Sequence, residues 1–479
     1  MTTPLWTSAD VIAATGGEAI GQAWTAKGVS IDSRTLEEGD LFVAITGENS
    51  DGHAYVARAL EKGASAALVS RVDEAMRAAG PLVKVADTLE ALNALGRAAR
   101  TRAQAKVVAV TGSVGKTGTK EALRLILSEQ GPTHASAASY NNMWGVPLSL
   151  ARMPADTRFG IFEVGMNHPG EITPLSKLVE PFAALVTTVE AVHMAFFDSV
   201  EQIADAKGEI FDGLQKGGVA ILNRDNPHYE RLRHKAEASG AGRIISFGEH
   251  PQADAHLEKA ALKEDCSCVS ATICGQPVTY KLSVPGHHIV MNSLAMLALV
   301  HALDADLAMA ALAMARLKAP KGRGERHRVE TPLGAFTLID ESYNANPASM
   351  RAALEALGQA KPEGKARRIA VIGDMLELGD DSIAMHRELA EPIKAADIDL
   401  VFASGPHMRE LFKALPQSVQ GAYAETADEL GDALCSVVEP GDVVMVKGSL
   451  GSRMGPVVEL LRGLGDDEGE SIRRNRGGN

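Results

Sequence analysis

The stretch Val107-Val108-Ala109-Val110-Thr111-Gly112-Ser113-Val114-Gly115-Lys116-Thr117 reads as a buried strand, a glycine turn and the opening of a helix. In the turn, Gly112 and Gly115 let the backbone of Ser113 and Val114 curl so that several N–H groups face one anion. Lys116 reaches toward outer phosphates, and the Thr117 hydroxyl is suited to Mg²⁺. Ala122, Leu123, Leu125, Ile126 and Leu127 give the following segment an apolar helical face. The pattern departs from the full phosphate-loop motif in one place, because Val110 stands where the first glycine belongs. Strand, turn and helix together still predict a nucleotide-binding loop.

Outward from this loop, the bulk properties set limits. A chain of 479 residues is too long for one core and suggests about three domains. The formal charge of −13 argues against a nucleic-acid partner. No stretch has the length of a membrane span, and the start, MTTPLWTSAD, has neither the basic nor the apolar part of a signal peptide. Cys266, Cys268 and Cys274 lie close together, but Cys266, Cys268 and Ser270 alternate as in a strand and no histidine accompanies them at zinc-finger spacing. A cytoplasmic, soluble enzyme is the expectation, and nothing demands more than a monomer.

The whole chain reads as α/β, in three units. Residues 1–84 form a small N-terminal α/β domain with strands at LFVAI and AALVS and a helix over His53 to Lys62. Its loops gather Asp32, Ser33 and Arg34, then Asp51, Gly52 and His53. Asp51 or Gly52 serves as a helix cap, or the Arg and His hold a phosphate or a uracil ring; the residues alone leave both open. Residues 85–318 form a central unit of the phosphate-loop ATPase type, with the continuous apolar runs of a buried parallel sheet (KVVAVT, FGIFEV, AALVTTV, GVAILN, RIISFG) and β-type alternation from 254 to 284. LKAPKGRGERH, 317–327, reads as the linker to a C-terminal Rossmann-like unit, 319–463, with strands FTLIDE, RRIAVIGD, DLVFAS and DVVMVKGS. Its loops ESYNANP, GDMLELG, SGPH and KGSLGS all follow strand carboxyl ends, where open α/β sheets bind ligands. The polar tail, 464–479, is expected to be disordered.

Two residues near the loop stand out. Glu163 closes an otherwise apolar strand, placing an acid where the magnesium of a nucleotide would sit. Lys207 falls on the apolar stripe of a helix carrying Val200, Ile203, Ile210, Phe211 and Leu214, opened by Ser199 and Gln202 at capping-box spacing. A lysine there is either a low-pKa amine able to take up CO₂ as a carbamate, or a side chain that snorkels out to water.

These motifs resemble the Mur ligases, ATP-dependent amide-forming enzymes of peptidoglycan precursor synthesis. The resemblance rests on TGSVGKT at Thr111–Thr117, YNNMWGVPLSL at Tyr140–Leu150, EVGMNHPGEI at Glu163–Ile172 and AKGEIF at Ala206–Phe211. It continues in GHHIVMN at Gly286–Asn292, DESYNANPASM at Asp340–Met350 and GDMLELG at Gly373–Gly379, with DSR, GDLFVA and DGH near the N-terminus. The DNPR signature of the member that adds the third peptide residue is absent. The resemblance implies ligation of D-alanyl-D-alanine to UDP-N-acetylmuramoyl-tripeptide through an acyl phosphate, with domain closure completing the site.

By position, the resemblance gives roles to individual residues. Gly112, Ser113, Val114, Gly115, Lys116 and Thr117 hold the ATP phosphates, and Thr117 and Glu163 hold one Mg²⁺. His193 and a carbamoylated Lys207 hold a second Mg²⁺. Asn292 contacts adenine, Arg323 lies near the γ-phosphate, and Asp340 binds ribose. Lys116, Lys207, His193 and Arg323 form the catalytic set. Ser33, Arg34, Asp51, His53, Asn141 and Asn142 serve the nucleotide-sugar substrate, whereas Tyr343, Asn344, Asn346, Lys447 and Ser449 face the dipeptide. TTVEAVHMAFF is a loose form of the usual second-metal motif, and Leu450 stands where many members carry arginine, with Arg453 as the nearby substitute. The alternatives are a ligase of the folylpolyglutamate-synthase type, or a phosphate-loop ATPase acting as a switch.

Overall fold

The computed structural model describes residues 3–47, 50–137, 139–362 and 364–465. Among them, a two-stranded ribbon accompanies three larger sheets of five, nine and six strands. The greater part of the tail expected to be disordered, 466–479, lies outside the described residues. Leu464, at its start, is buried in the third unit's core.

The five-stranded sheet runs in the order Glu18–Ile20, Leu82–Lys84, Ala66–Val69, Asp40–Val43, Gly28–Ser30, parallel except at the Glu18–Ile20 edge. Alternate residues serve two cores, Leu41 and Val43 one, Phe42 and Ala44 the other. The helix expected from His53 is a 3₁₀ turn, Gly52–Tyr55, running into an α-helix, Val56–Glu61. Helix Thr88–Arg102 inserts Ala91, Leu92, Leu95 and Ala99 into the first sheet's core beside Leu148 and Ala151 of helix Gly145–Ala151. The stretch after residue 84 thus packs on the first sheet. An amphipathic stripe does not say which sheet it will cover.

The nine-stranded sheet centres on Lys106–Thr111, flanked by Phe159–Glu163 and Ala183–Val186 in parallel register. Val108 and Val110 enter one core and Val107 and Ala109 the other, so the strand is buried on both faces. Val110 pairs with Glu163 and Leu185 while still in the extended strand. The chain does not turn there, which is why no glycine is needed. Beyond Arg243–Gly248 the sheet continues through Ala255–Leu262 into two antiparallel strands, Ser267–Ile273 and Gln276–Leu282. Cys266, Cys268 and Cys274 are free thiols, with Cys266 buried and Cys268 exposed. Among the described residues they join no metal-binding group.

The six-stranded sheet is parallel except for one edge hairpin, Glu325–Thr331 with Gly334–Glu341. The linker expected at 317–327 therefore ends inside a strand. Its residues E-R-H-R-V-E-T bury only Val329, so this edge strand carries no apolar run to betray it. No helix among the described residues is long and apolar enough to cross a membrane.

Candidate active site

The loops after the strand ends of the central and third sheets face one another across a cleft of about 1540 Å³, which also touches Asn93 and Arg97 of helix Thr88–Arg102. On the central side, Gly112 (φ +146°) lies so close to the next strand that a Cβ would sit 1.9 Å from Thr187 Oγ1. The loop is braced from that strand end: Ser113 N–H donates to the Thr188 carbonyl (2.9 Å), Glu190 N–H to Ser113 Oγ (2.8 Å) and Thr187 Oγ1 to the Val114 carbonyl (2.6 Å). Gly115 (φ +85°) starts helix Lys116–Ser128 with no side-chain cap, leaving the N-terminal end of a 13-residue helix directed at the cleft. Asn292 lies against Gly115, where a Cβ would meet its Nδ2 at 2.7 Å.

Thr117 donates its hydroxyl to Glu163 Oε2 at 2.8 Å, and Asn141 Nδ2 donates to Oε1 at 2.7 Å. The carboxylate is almost wholly buried, with its oxygens held beside the phosphate loop. Lys116 Nζ rests on the Gly112 carbonyl at 2.7 Å. Burial pushes its ammonium down, Glu163 opposes the shift and Arg323 adds to it. Arg323 itself stacks on Tyr343, 4.1 Å from the ring centre.

Lys207 is 2% exposed, so it does not snorkel. Its helix, Val200–Gly208, is capped by Ser199 Oγ accepting from Gln202 N–H at 3.4 Å, while the Gln202 side chain reaches Asp198 N–H rather than closing a capping box. Burial, with Lys116 nearby, holds the Lys207 ammonium well below its ordinary range. No acceptor among the described residues takes a hydrogen bond from it. His193 adopts φ +56° and donates Nδ1–H to Glu377 Oε2 of the third unit at 2.7 Å. Burial pushes its imidazole down; Glu377 opposes that shift, and Lys207 and Lys116 reinforce it.

Opposite, Lys447 Nζ donates to the Asn344 carbonyl (3.0 Å) and to Glu341 Oε2 (3.3 Å). Ser449 Oγ bridges, donating to the Ala345 carbonyl (3.1 Å) and accepting from Leu376 N–H (2.9 Å). Asn346 caps its helix by accepting from Ser349 N–H, and Asn142 Oδ1 accepts from Trp144 N–H and Gly145 N–H where helix Gly145–Ala151 begins. The cleft thus brings together Ser113 to Thr117, Asn141, Asn142, Glu163, His193, Asn292, Arg323, Tyr343, Asn344, Asn346, Lys447 and Ser449.

Several expected residues stand elsewhere. Asp340 is buried off the cleft wall, where its oxygens accept from Gly322 N–H, Ser342 N–H and Ser342 Oγ. Its neighbour Glu341 takes the wall, because adjacent residues of a strand point to opposite faces. Arg453 is exposed and off the wall, whereas Leu450 lines it. In the first unit His53 is 2% exposed, with Nδ1 on Asp51 (2.7 Å) and Nε2 accepting from Ser70 N–H (2.9 Å). Both ring nitrogens are engaged, so His53 braces its own loop. Asp51 caps the 3₁₀ turn and pairs with Arg71, which with His53 holds its carboxyl below the usual range. Ser33 is buried and Arg34, paired with Asp32, is exposed; neither reaches the cleft. Thr187, Glu190, Glu341 and Glu377 are among the cleft residues that sequence reasoning missed.

Comparison with known proteins matches the chain to three family profiles in order. They are the Mur ligase family catalytic domain over residues 25–100, the Mur ligase middle domain over 110–300 and the Mur ligase glutamate ligase domain over 322–450. The chain belongs to the Mur ligase family. As a Mur ligase it is 36% identical over 454 residues to the UDP-N-acetylmuramoyl-tripeptide–D-alanyl-D-alanine ligase of Escherichia coli, covering 93% of this chain and 96% of that protein. Its fold follows that of MurF from Acinetobacter baumannii, with TM-score 0.83, 31% identity and coverage of 96% and 99%. It also follows MurF from Thermotoga maritima in complex with ADP, with TM-score 0.75, 26% identity and coverage of 92% and 98%. The three-sheet architecture is that of the Mur ligase fold.

Proposed function

We propose that this chain is an ATP-dependent ligase joining D-alanyl-D-alanine to UDP-N-acetylmuramoyl-tripeptide. The observation that carries the reading is one cleft with a braced phosphate loop on one wall and the Lys447–Asn344–Glu341 cluster on the other. The near-full-length relatives bearing that enzyme's name support the choice of substrates. A switch-type ATPase has no need of the second wall.

The chemistry follows from the difficulty of replacing a carboxylate oxygen. An oxygen of the tripeptide carboxylate attacks the γ-phosphorus of ATP, the bond to ADP breaks, and an acyl phosphate forms. The dipeptide amine then adds to the acyl carbon, loses a proton, and expels phosphate as the amide forms. Lys116 and Arg323 offset the negative charge that carboxylate and triphosphate bring together. The Thr117 hydroxyl and Glu163 carboxylate are hard oxygen donors beside the phosphate loop and suit Mg²⁺, which would add further neutralisation there.

Lys207 fits a carbamate. Its buried amine meets no acceptor among the described residues, and in the neutral form it adds to CO₂ with a new N–C bond and release of one proton. The carbamate and Nε2 of His193 would then be ligands for a second Mg²⁺. The nucleotide-sugar end is assigned to the first unit near Arg34. A cytoplasmic, monomeric enzyme is part of the same proposal. With ¹⁸O in the substrate carboxylate, the released phosphate should carry one ¹⁸O atom; phosphate without label would refute the acyl-phosphate route.

A further inference from the structure

His193 and Glu377 are both non-glycine residues in left-handed backbone, with φ +56° and +62°, and they sit on loops from different sheets. Beside their 2.7 Å side-chain bond, Ala195 N–H donates to the Glu377 carbonyl at 3.3 Å. Gly379 (φ +68°) lets the two backbones touch, since a Cβ there would lie 3.3 Å from the Met194 carbonyl oxygen. The loop is fixed from behind. Met375 N–H donates to His386 Nε2 and Leu376 N–H to Ser449 Oγ, each at 2.9 Å. Strained residues persist where the surroundings over-determine them, and such sites are often functional.

We propose that Glu377 is a positioning residue: it fixes the proton of His193 on Nδ1 and so presents the Nε2 lone pair to the cleft, but only when the third unit is seated on the central one. A carboxylate behind an imidazole sets both the ring's tautomer and its orientation. The site is therefore incomplete until the sheets close, and the domain carrying the dipeptide wall also completes a ligand on the phosphate side. This rests on the assignment of His193 as a ligand for the second Mg²⁺.

The test uses Mn²⁺ as the probe, titrated into the full-length protein holding a non-hydrolysable ATP analogue and followed by electron paramagnetic resonance. Wild type should bind two Mn²⁺. Glu377→Ala should weaken the second by about 10-fold or more, whereas Glu377→Gln, whose amide oxygen still accepts from Nδ1–H, should stay within about threefold of wild type. In turnover, Glu377→Ala should need about 10-fold more Mg²⁺ for half-maximal rate, and excess Mg²⁺ should restore it, which a simple packing defect would not allow. Unchanged Mn²⁺ affinity in Glu377→Ala, or a Gln variant as impaired as Ala, overturns the positioning role. A wild type that binds only one Mn²⁺ overturns the metal assignment beneath it, and the proposal with it. A protein that binds two Mn²⁺ yet makes no pentapeptide leaves the Glu377 result standing and refutes the substrate assignment instead.

Discussion

Thr117 and Glu163 meet across 2.8 Å, joining the first turn of the phosphate-loop helix to the end of the neighbouring strand. Parallel register puts Glu163 opposite Val110, so the carboxylate arrives beside the loop at the level where the strand gives way to the turn. The pair places a hard carboxylate and a hydroxyl together at the phosphate end of the cleft.

Replacing Glu163 by alanine should lower kcat by about 100-fold or more and raise the Mg²⁺ needed for half-maximal rate. Glu163→Gln keeps the hydrogen bonds from Thr117 and Asn141 to its amide oxygen only in part and should fall between. Initial rates against Mg²⁺ concentration check this. An alanine variant with the wild-type Mg²⁺ curve contradicts a metal role.

Lys207→Ala should abolish measurable ligation while leaving the fold intact, because the lost group is an amine that no acceptor among the described residues holds. A short-chain carboxylate or bicarbonate, supplying the missing anion in the space vacated, should restore part of the rate. Circular dichroism establishes the fold and product formation establishes the rescue. Normal turnover without any additive would rule out the carbamate.

Burial holds the His386 imidazole below its ordinary value of 6.5, helped by neighbouring His407 and opposed by the Ser382 carbonyl and Asp374. As pH falls below about 6.5 the unfolded chain takes up this proton before the folded one does, so folding stability drops. Above that value the group contributes no pH dependence. The melting temperature should therefore be level from pH 7 to 8 and fall toward pH 5. His386→Gln, which removes the titrating group, should show a shallower fall over the same interval. An equally steep fall would place the acid sensitivity elsewhere, for instance in the half-buried His134, whose imidazole is also held down by burial.

Much of this site is local and therefore legible in sequence. The phosphate loop needs a strand, two glycines and a helix in succession, and the burial of Lys207 follows from helical period, although the α-helix ends at Gly208 and the expected stripe passes into a 3₁₀ turn, Glu209–Gly213, with Leu214 beyond it. The rest depends on partners far along the chain. Glu377 lies 184 residues from His193, and no spacing rule joins them. Asp340 and Glu341 are adjacent carboxylates on one strand, and only the sheet's orientation decides which of them faces the cleft. His53 looks like a ligand in sequence because its neighbours are polar, yet one of them, Asp51, occupies Nδ1, and Ser70, 17 residues along the chain, occupies Nε2. The strands Glu325–Thr331 and Gln420–Ala424 lie at the two edges of their sheet and lack the continuous apolar run that marks a central strand.

The most direct measurement is phosphate release from ATP in the presence of UDP-N-acetylmuramoyl-tripeptide, with and without D-alanyl-D-alanine, together with the product mass. Release that requires both substrates, with a UDP-N-acetylmuramoyl-pentapeptide formed for each phosphate, is the predicted result. Release that proceeds equally without the dipeptide, or no pentapeptide at all, would contradict it.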